Sequence, residues 1–246
     1  MPIDLDLTKK PGLFIAGTDI GVGKTLIAGA IARILAEQNL RVGVFKPIAV
    51  GCQRQWEGMV SDEAEFLCCC ANSDLSLSTV TPVGYTSEDA PFICALQEKR
   101  PIDFDKIASA YEQICQNCDI VVVEGTGGVR VPLTEEYDLL DLAAVLKLPV
   151  VIVAKVKPSV INHTLMTIDC VRAAQLKIAG VVINGLDATR TTQTSETYRE
   201  LIKHFSAVDV MAVLPYDETV DKDELSLGEL IVPVLSECNW AKLAHE

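Results

Sequence analysis

The chain has 246 residues, 49% of them hydrophobic, and a formal net charge of −13 at pH 7 from 34 acidic and 21 basic residues. That charge, with no basic patch to offset it, argues against nucleic acid and anionic membranes as partners. The apolar content is too high for a disordered chain. The length suits a single α/β domain over residues 1–246, and no linker, repeat or low-complexity tract marks a boundary.

The first segment, "MPIDLDLTKKPG", lacks the charged-then-apolar order of a signal peptide. The first strand is expected at 13–17, "LFIAG", and a helix at 24–37. Between them runs "GTDIGVGKT", which ends like the nucleotide-binding pattern G-x-x-x-x-G-K-[ST] but separates Gly17 from Gly23 by one residue more. Gly21 and Gly23 let backbone approach phosphate oxygens, and the N–H groups of the helix start face the anion. Lys24 supplies a point charge toward the terminal phosphates, and the Thr25 hydroxyl is a magnesium ligand. Chromosome-partitioning and division-site ATPases resemble "KGGVGKT" here, with a lysine five residues before the loop lysine. This chain has Asp19 at that position, which counts against a partner-binding ATPase switch.

The second strand, 42–46, ends at Lys46. At a strand end beside phosphate, Lys46 reads either as a neutraliser of transferring charge or as a snorkelling surface lysine. Residues 51–101 hold no clear strand and are expected as an irregular excursion over the binding end of the sheet. Within them a helix is expected over about 62–71, capped by Ser61 with Asp62 and Glu63 in its first turn. Asp62 is either a second metal acid or an exposed helix-start carboxylate.

A helix over 105–117 leads to the strand "DIVVVEG", 119–125. Glu124 closes four apolar residues and precedes Gly125, Gly127 and Gly128, so it reads as a metal acid beside a phosphate-approaching backbone. A helix at 138–147, a strand at 149–155, a helix at 159–176, a strand at 179–186, a helix at 194–205 and a strand at 210–215 complete the alternation. Strands apolar on both faces, alternating with helices, give a doubly wound, mostly parallel sheet flanked by helices, of P-loop NTPase type. No apolar run reaches the ~20 residues of a membrane span. The nine cysteines, including "CCC" at 68–70 and "CQNC" at 115–118, read as small reduced residues of a cytoplasmic protein.

Taken together, "GTDIGVGKT", "KPIAVG", "SDEAEF", "EGTGG", "KPSVINHTLMT" and "GVVINGL", in this order across about 13–217, resemble the dethiobiotin synthetase family. The resemblance implies an ATP-dependent, magnesium-requiring cyclo-ligase of biotin biosynthesis. Its substrates would be 7,8-diaminopelargonic acid, CO2 and ATP, joined through a carbamate and a carbamic-phosphoric anhydride. It further implies that Gly21, Val22, Gly23, Lys24, Thr25 and Leu26 hold the phosphates, with Gly125, Thr126 and Gly127 beside them. On the same resemblance, Thr25, Asp62 and Glu124 would surround magnesium, and Lys46 would join Lys24 in catalysis. Asn184 and Gly185, with Pro215, Tyr216 and Asp217, would adjoin the base. Val50 would touch the substrate, whose carboxylate would meet Ser159, Val160 and Asn162 of a neighbouring subunit, which implies a homodimer. The family has threonine at Ile20 and serine at Val50, and often a serine within "DAPFICA" at 89–95, so hydroxyl contacts there are lost or replaced. Related amidotransferase ligases for corrinoid acids carry a glutaminase domain, for which this chain has no remaining length.

Overall fold

The computed structural model describes residues 7–56, 58–187, 192–221 and 223–246. Residues 1–6, half of the segment read as unlike a signal peptide, lie outside them. The main elements are β1 (Gly12–Gly17), α1 (Lys24–Glu37), β2 (Val42–Phe45), α2 (Asp62–Ala71), α3 (Phe104–Asn117) and β3 (Ile120–Gly128). These are followed by α4 (Leu139–Leu146), β4 (Val150–Lys155), α5 (Val160–Ala173), β5 (Ile178–Leu186), α6 (Thr192–Ser206) and β6 (Val210–Pro215).

The six strands form one sheet in the order β6-β5-β4-β1-β3-β2, and every pairing is parallel. Side-chain alternation explains the two layers of helices. Leu13, Ile15, Val44 and Val122 enter one core with Ile27 and Ile31 of α1 and Phe66 and Leu67 of α2. Phe14, Phe45, Val121 and Val123, one residue out of phase, enter the other with Tyr111 and Ile114 of α3 and Ile168 of α5. A strand buried on both faces has no polar side, so it reads as a continuous apolar run.

The chain leaves β1 to build β2 and β3 on one side and then passes it to build β4, β5 and β6 on the other. All six carboxyl ends therefore share one edge, and the connections diverge there beside β1. The ends of β1, β2, β3 and β5 bring together the phosphate loop, Lys46, Glu124 and Asn184.

The stretch 51–101 does contain strands, contrary to the sequence expectation. Gln53–Gln55 pairs antiparallel with Gly58–Val60, and Ile48–Ala49 pairs with Val83–Gly84. They span two or three residues, and the exposed run Gln53-Arg54-Gln55 has no apolar face to detect. Two short helices, Leu77–Val80 and Pro91–Glu98, complete this segment. After β6 the tail folds back over α1, where Trp240 is buried and its indole donates to the Leu235 carbonyl at 2.7 Å.

Candidate active site

The loop from Gly17 to Thr25 wraps around Lys24. Gly21 (φ 67°) and Gly23 (φ 98°) adopt the left-handed conformation that glycine tolerates best, and Gly23 caps α1 without a side-chain bond. The Lys24 ammonium turns back to donate to the Asp19 carbonyl at 3.0 Å. A Cβ at Gly17 would lie 2.9 Å from that nitrogen, so only glycine leaves room for the fold-back. Val22 and Leu26 are buried in the α1 core and contribute backbone rather than side chains to the loop surface.

Five charged or polar groups, Lys24, Thr25, Lys46, Glu63 and Glu124, meet at this end of the sheet. Lys46 is 1% exposed, Glu124 is 0% and Lys24 is 7% exposed, so Lys46 is no snorkelling surface lysine. The Lys46 ammonium lies 2.9 Å from Glu124 Oε1, and the Thr25 hydroxyl donates to the same oxygen at 2.9 Å. Glu63 completes the cluster. Its Oε2 is 2.8 Å from Lys46 Nζ, and its Oε1 is 3.2 Å from Thr25 Oγ1. Thr126 is fixed by donating to the Ile48 carbonyl, and the Gly125 carbonyl stands 3.4 Å from Lys46.

Burial sets the electrostatics. It works against the Lys46 ammonium, but Glu124 and Glu63 overcome it and hold the pKa above the ordinary lysine value. Lys24 is lowered to about 8, first by burial and then by repulsion from Lys46, despite the opposing pull of Glu124. Glu124 is pushed up by burial, which Lys46 opposes.

The donor set fits a small divalent cation. Glu124 Oε2 is buried without a hydrogen-bond partner among the described residues, beside a hydroxyl and a second carboxylate. Hard cations of the magnesium type take such oxygens, and a buried carboxylate oxygen left unpaired is costly.

Other expected site residues lie at the margins. Asp62 is exposed, its contacts being with the Gln53 amide at 3.5 Å, and its neighbour Glu63 is the acid that faces the cluster. Asn184 donates to the Val22 carbonyl at 3.0 Å and braces the phosphate loop. Gly185 follows with φ 78°, and Tyr216, exposed, donates its N–H to the Leu186 carbonyl at 2.8 Å beside Pro215. The buried Asp217 accepts from Thr219 N at 2.9 Å and Leu230 N at 2.8 Å, so its carboxylate ties the tail loop together. Val50 is half-buried against the core.

Ser159 begins α5 without a side-chain cap, Val160 is buried, and exposed Asn162 donates to the Met166 sulfur at 3.4 Å. Between α5 and the phosphate loop runs a groove of about 430 Å³, lined by Thr18, Asp19, Ile20, Arg130, His163 and Met166 among others. At its mouth Asp19 accepts from Lys157 at 2.9 Å, a pairing across 138 positions that sequence reading does not find. That hydrogen bond holds the Asp19 carboxyl below its usual value. The cysteines at 68, 70, 115 and 118 are buried and Cys69 is exposed. No helix among the described residues is long and apolar enough to cross a membrane.

In comparisons with solved structures, the fold matches the cell division ATPase MinD of Pyrococcus furiosus. The TM-score is 0.56 and identity 14%, covering 96% of this chain and 97% of that one. A ParA family ATPase from Chlorobium tepidum gives 0.51 and 14%, over 96% and 97% of the two chains. These likenesses establish the P-loop sheet architecture. A family model described as an AAA domain matches residues 11–224. An ATP-dependent dethiobiotin synthetase BioD of Thermodesulfovibrio yellowstonii is 30% identical over 223 residues, covering 88% of this chain and 93% of that protein. The BioD proteins of Bacillus subtilis and Bacillus licheniformis are 31% and 34% identical, covering 86% and 83% of this chain and 90% and 85% of theirs. The chain therefore belongs to the family of ATP-dependent dethiobiotin synthetases.

Proposed function

We propose that this chain closes the ureido ring of dethiobiotin from 7,8-diaminopelargonic acid and CO2 while converting ATP to ADP and phosphate. One amine takes up CO2 as a carbamate. A carbamate oxygen then attacks the γ-phosphorus, and the bond to the β-γ bridging oxygen breaks, releasing ADP. The second amine attacks the carbonyl carbon of the mixed anhydride, the C–O bond to phosphate breaks, and the amine's proton leaves with the products. No protein nucleophile is required, so the protein's work is positioning and charge stabilisation.

The observation that carries this reading is the buried Lys46 ammonium beside the Lys24 loop, two cations converging where carbamate and γ-phosphate would meet. Lys24, with the backbone of Gly21–Leu26 and of Gly125–Gly127, holds the phosphates, and Lys46 bridges carbamate and γ-phosphate. Thr25 and Glu124 would hold Mg2+, with Asp62 as a further carboxylate from the exposed start of α2. When bound there, the ion would supply neutralisation of the phosphate charge. Asn184, Gly185, Pro215, Tyr216 and Asp217 border the base. The diamine lies in the groove between phosphate loop and α5, passing Val50. Its carboxylate meets the α5 start, Ser159, Val160 and Asn162, of a second copy. The exposed Ile20 (71%) and Met166 (58%) at that groove support a homodimer with shared sites. The reading places a single domain over 1–246 in the cytoplasm.

A nucleotide switch of the partitioning type is the rival reading, and phosphate release separates the two. Release that requires diamine and bicarbonate together supports the ligase, whereas equal release without them contradicts it.

A further inference from the structure

Lys46 has no donor to spare in this structure. Its ammonium meets Glu124 Oε1 at 2.9 Å, Glu63 Oε2 at 2.8 Å and the Gly125 carbonyl at 3.4 Å, and an ammonium carries three N–H donors. An anionic oxygen from phosphate or carbamate can reach Lys46 only if one acceptor withdraws. Glu124 is held in place, because its side chain is fully buried on β3 and has no route to water. The Gly125 carbonyl belongs to the same strand. Glu63 differs in being on the first turn of α2 with a side chain 38% exposed, so water can receive its carboxylate. Thr25 shows the same competition, since its single hydroxyl proton faces Glu124 at 2.9 Å and Glu63 at 3.2 Å and can serve one of them.

We propose that Glu63 is a displaceable anionic placeholder that occupies the position of a ligand oxygen at Lys46 and Thr25 and yields it when the nucleotide binds. Lys24, Lys46, Glu63 and Glu124 together carry no net formal charge, so the cluster is balanced by itself. An arriving phosphate exchanges one negative partner of Lys46 for another. The proposal rests on the assignment of this end of the sheet to nucleotide and carbamate.

Calorimetric titration of the full chain with Mg2+ and the β,γ-imido analogue of ATP tests it, without diamine or bicarbonate. Removing the competitor in Glu63→Gln should tighten binding about threefold to fivefold, the equilibrium equivalent of losing a partly exposed charge pair. Glu65→Gln, an exposed acid on the same helix turn, controls for the general loss of negative charge and should change affinity little. In a Lys46→Met background the Glu63→Gln gain should shrink to what the competition at Thr25 leaves. Unchanged or weaker binding by Glu63→Gln, or equal tightening by Glu65→Gln, would overturn the placeholder role. Weaker binding confined to limiting Mg2+ would instead make Glu63 a metal ligand. A protein that binds the analogue but makes no cyclic urea would sink the ligase reading and leave this result intact.

Discussion

Replacing Lys46 by methionine removes the charge while keeping most of the side-chain volume, so it isolates the ion pair at the centre of the site. With Lys46 1% exposed and Glu124 0%, the variant leaves a buried carboxylate whose remaining short contact is the Thr25 hydroxyl at 2.9 Å. Breaking one side of such a pair costs about 3–5 kcal/mol. Protonation offers an escape, because burial already raises the Glu124 pKa and loss of Lys46 raises it further. A carboxyl whose folded pKa lies above its unfolded value contributes stability below the unfolded value and loses it as pH rises through the folded one. The variant's deficit should therefore grow between pH 5 and pH 8, by up to about 1.4 kcal/mol per unit while the carboxyl stays protonated in the fold. Urea unfolding at the two pH values measures this. The double variant Lys46→Met/Glu124→Gln, with neither charge present, should recover most of the loss. Coupled turnover should fall about 100-fold to 1,000-fold in both variants, the usual cost of removing one charge-stabilising donor. A single variant as stable as the parent at pH 8, or a double variant less stable than the single, would refute the paired burial of these groups.

Lys24→Met should abolish nucleotide binding yet stabilise the ligand-free protein at pH 7 by an amount on the order of 3 kcal/mol, since the lysine is held near 8 rather than 10.5. For a base with a depressed folded pKa the protonated form is the costly one, so this gain should shrink between pH 8 and 10.5, which thermal unfolding across that range will show. Glu124→Gln should raise the magnesium concentration needed for half-maximal analogue binding at least tenfold, as titration of both proteins measures. Gly23→Ala should lose nucleotide affinity, because its Cβ would lie 2.2 Å from the Asn184 amide at φ 98°. The backbone cost of about 1–3 kcal/mol is local, so circular dichroism should stay close to that of the parent.

The sheet was legible in the sequence because strands buried on both faces read as apolar runs and the helices between them keep their own period. Boundaries moved where backbone geometry intervened. The helix expected to reach 176 stops at Ala173, and Gln175 turns left-handed at φ 58°. The strand expected to end at 125 continues through Thr126 to Gly128, with a register shift against β1. Thr25, Lys46 and Glu124 were found because each sits at a strand or helix end beside the phosphate loop. Glu63 was not singled out, although adjacent helix residues point about 100° apart, so only one of Asp62 and Glu63 can face the sheet. Sequence spacing does not say which. The Asp19–Lys157 pair and the tail contacts of Asp217 arise from tertiary approach and leave no local pattern.

The most direct measurement supplies purified protein with ATP, Mg2+, 7,8-diaminopelargonic acid and 13C-bicarbonate, and follows the product by mass spectrometry. The account predicts a cyclic urea carrying one heavy carbon, formed in step with ADP and phosphate. ATP consumption without labelled cyclic urea, or cyclisation that proceeds without ATP, would contradict it.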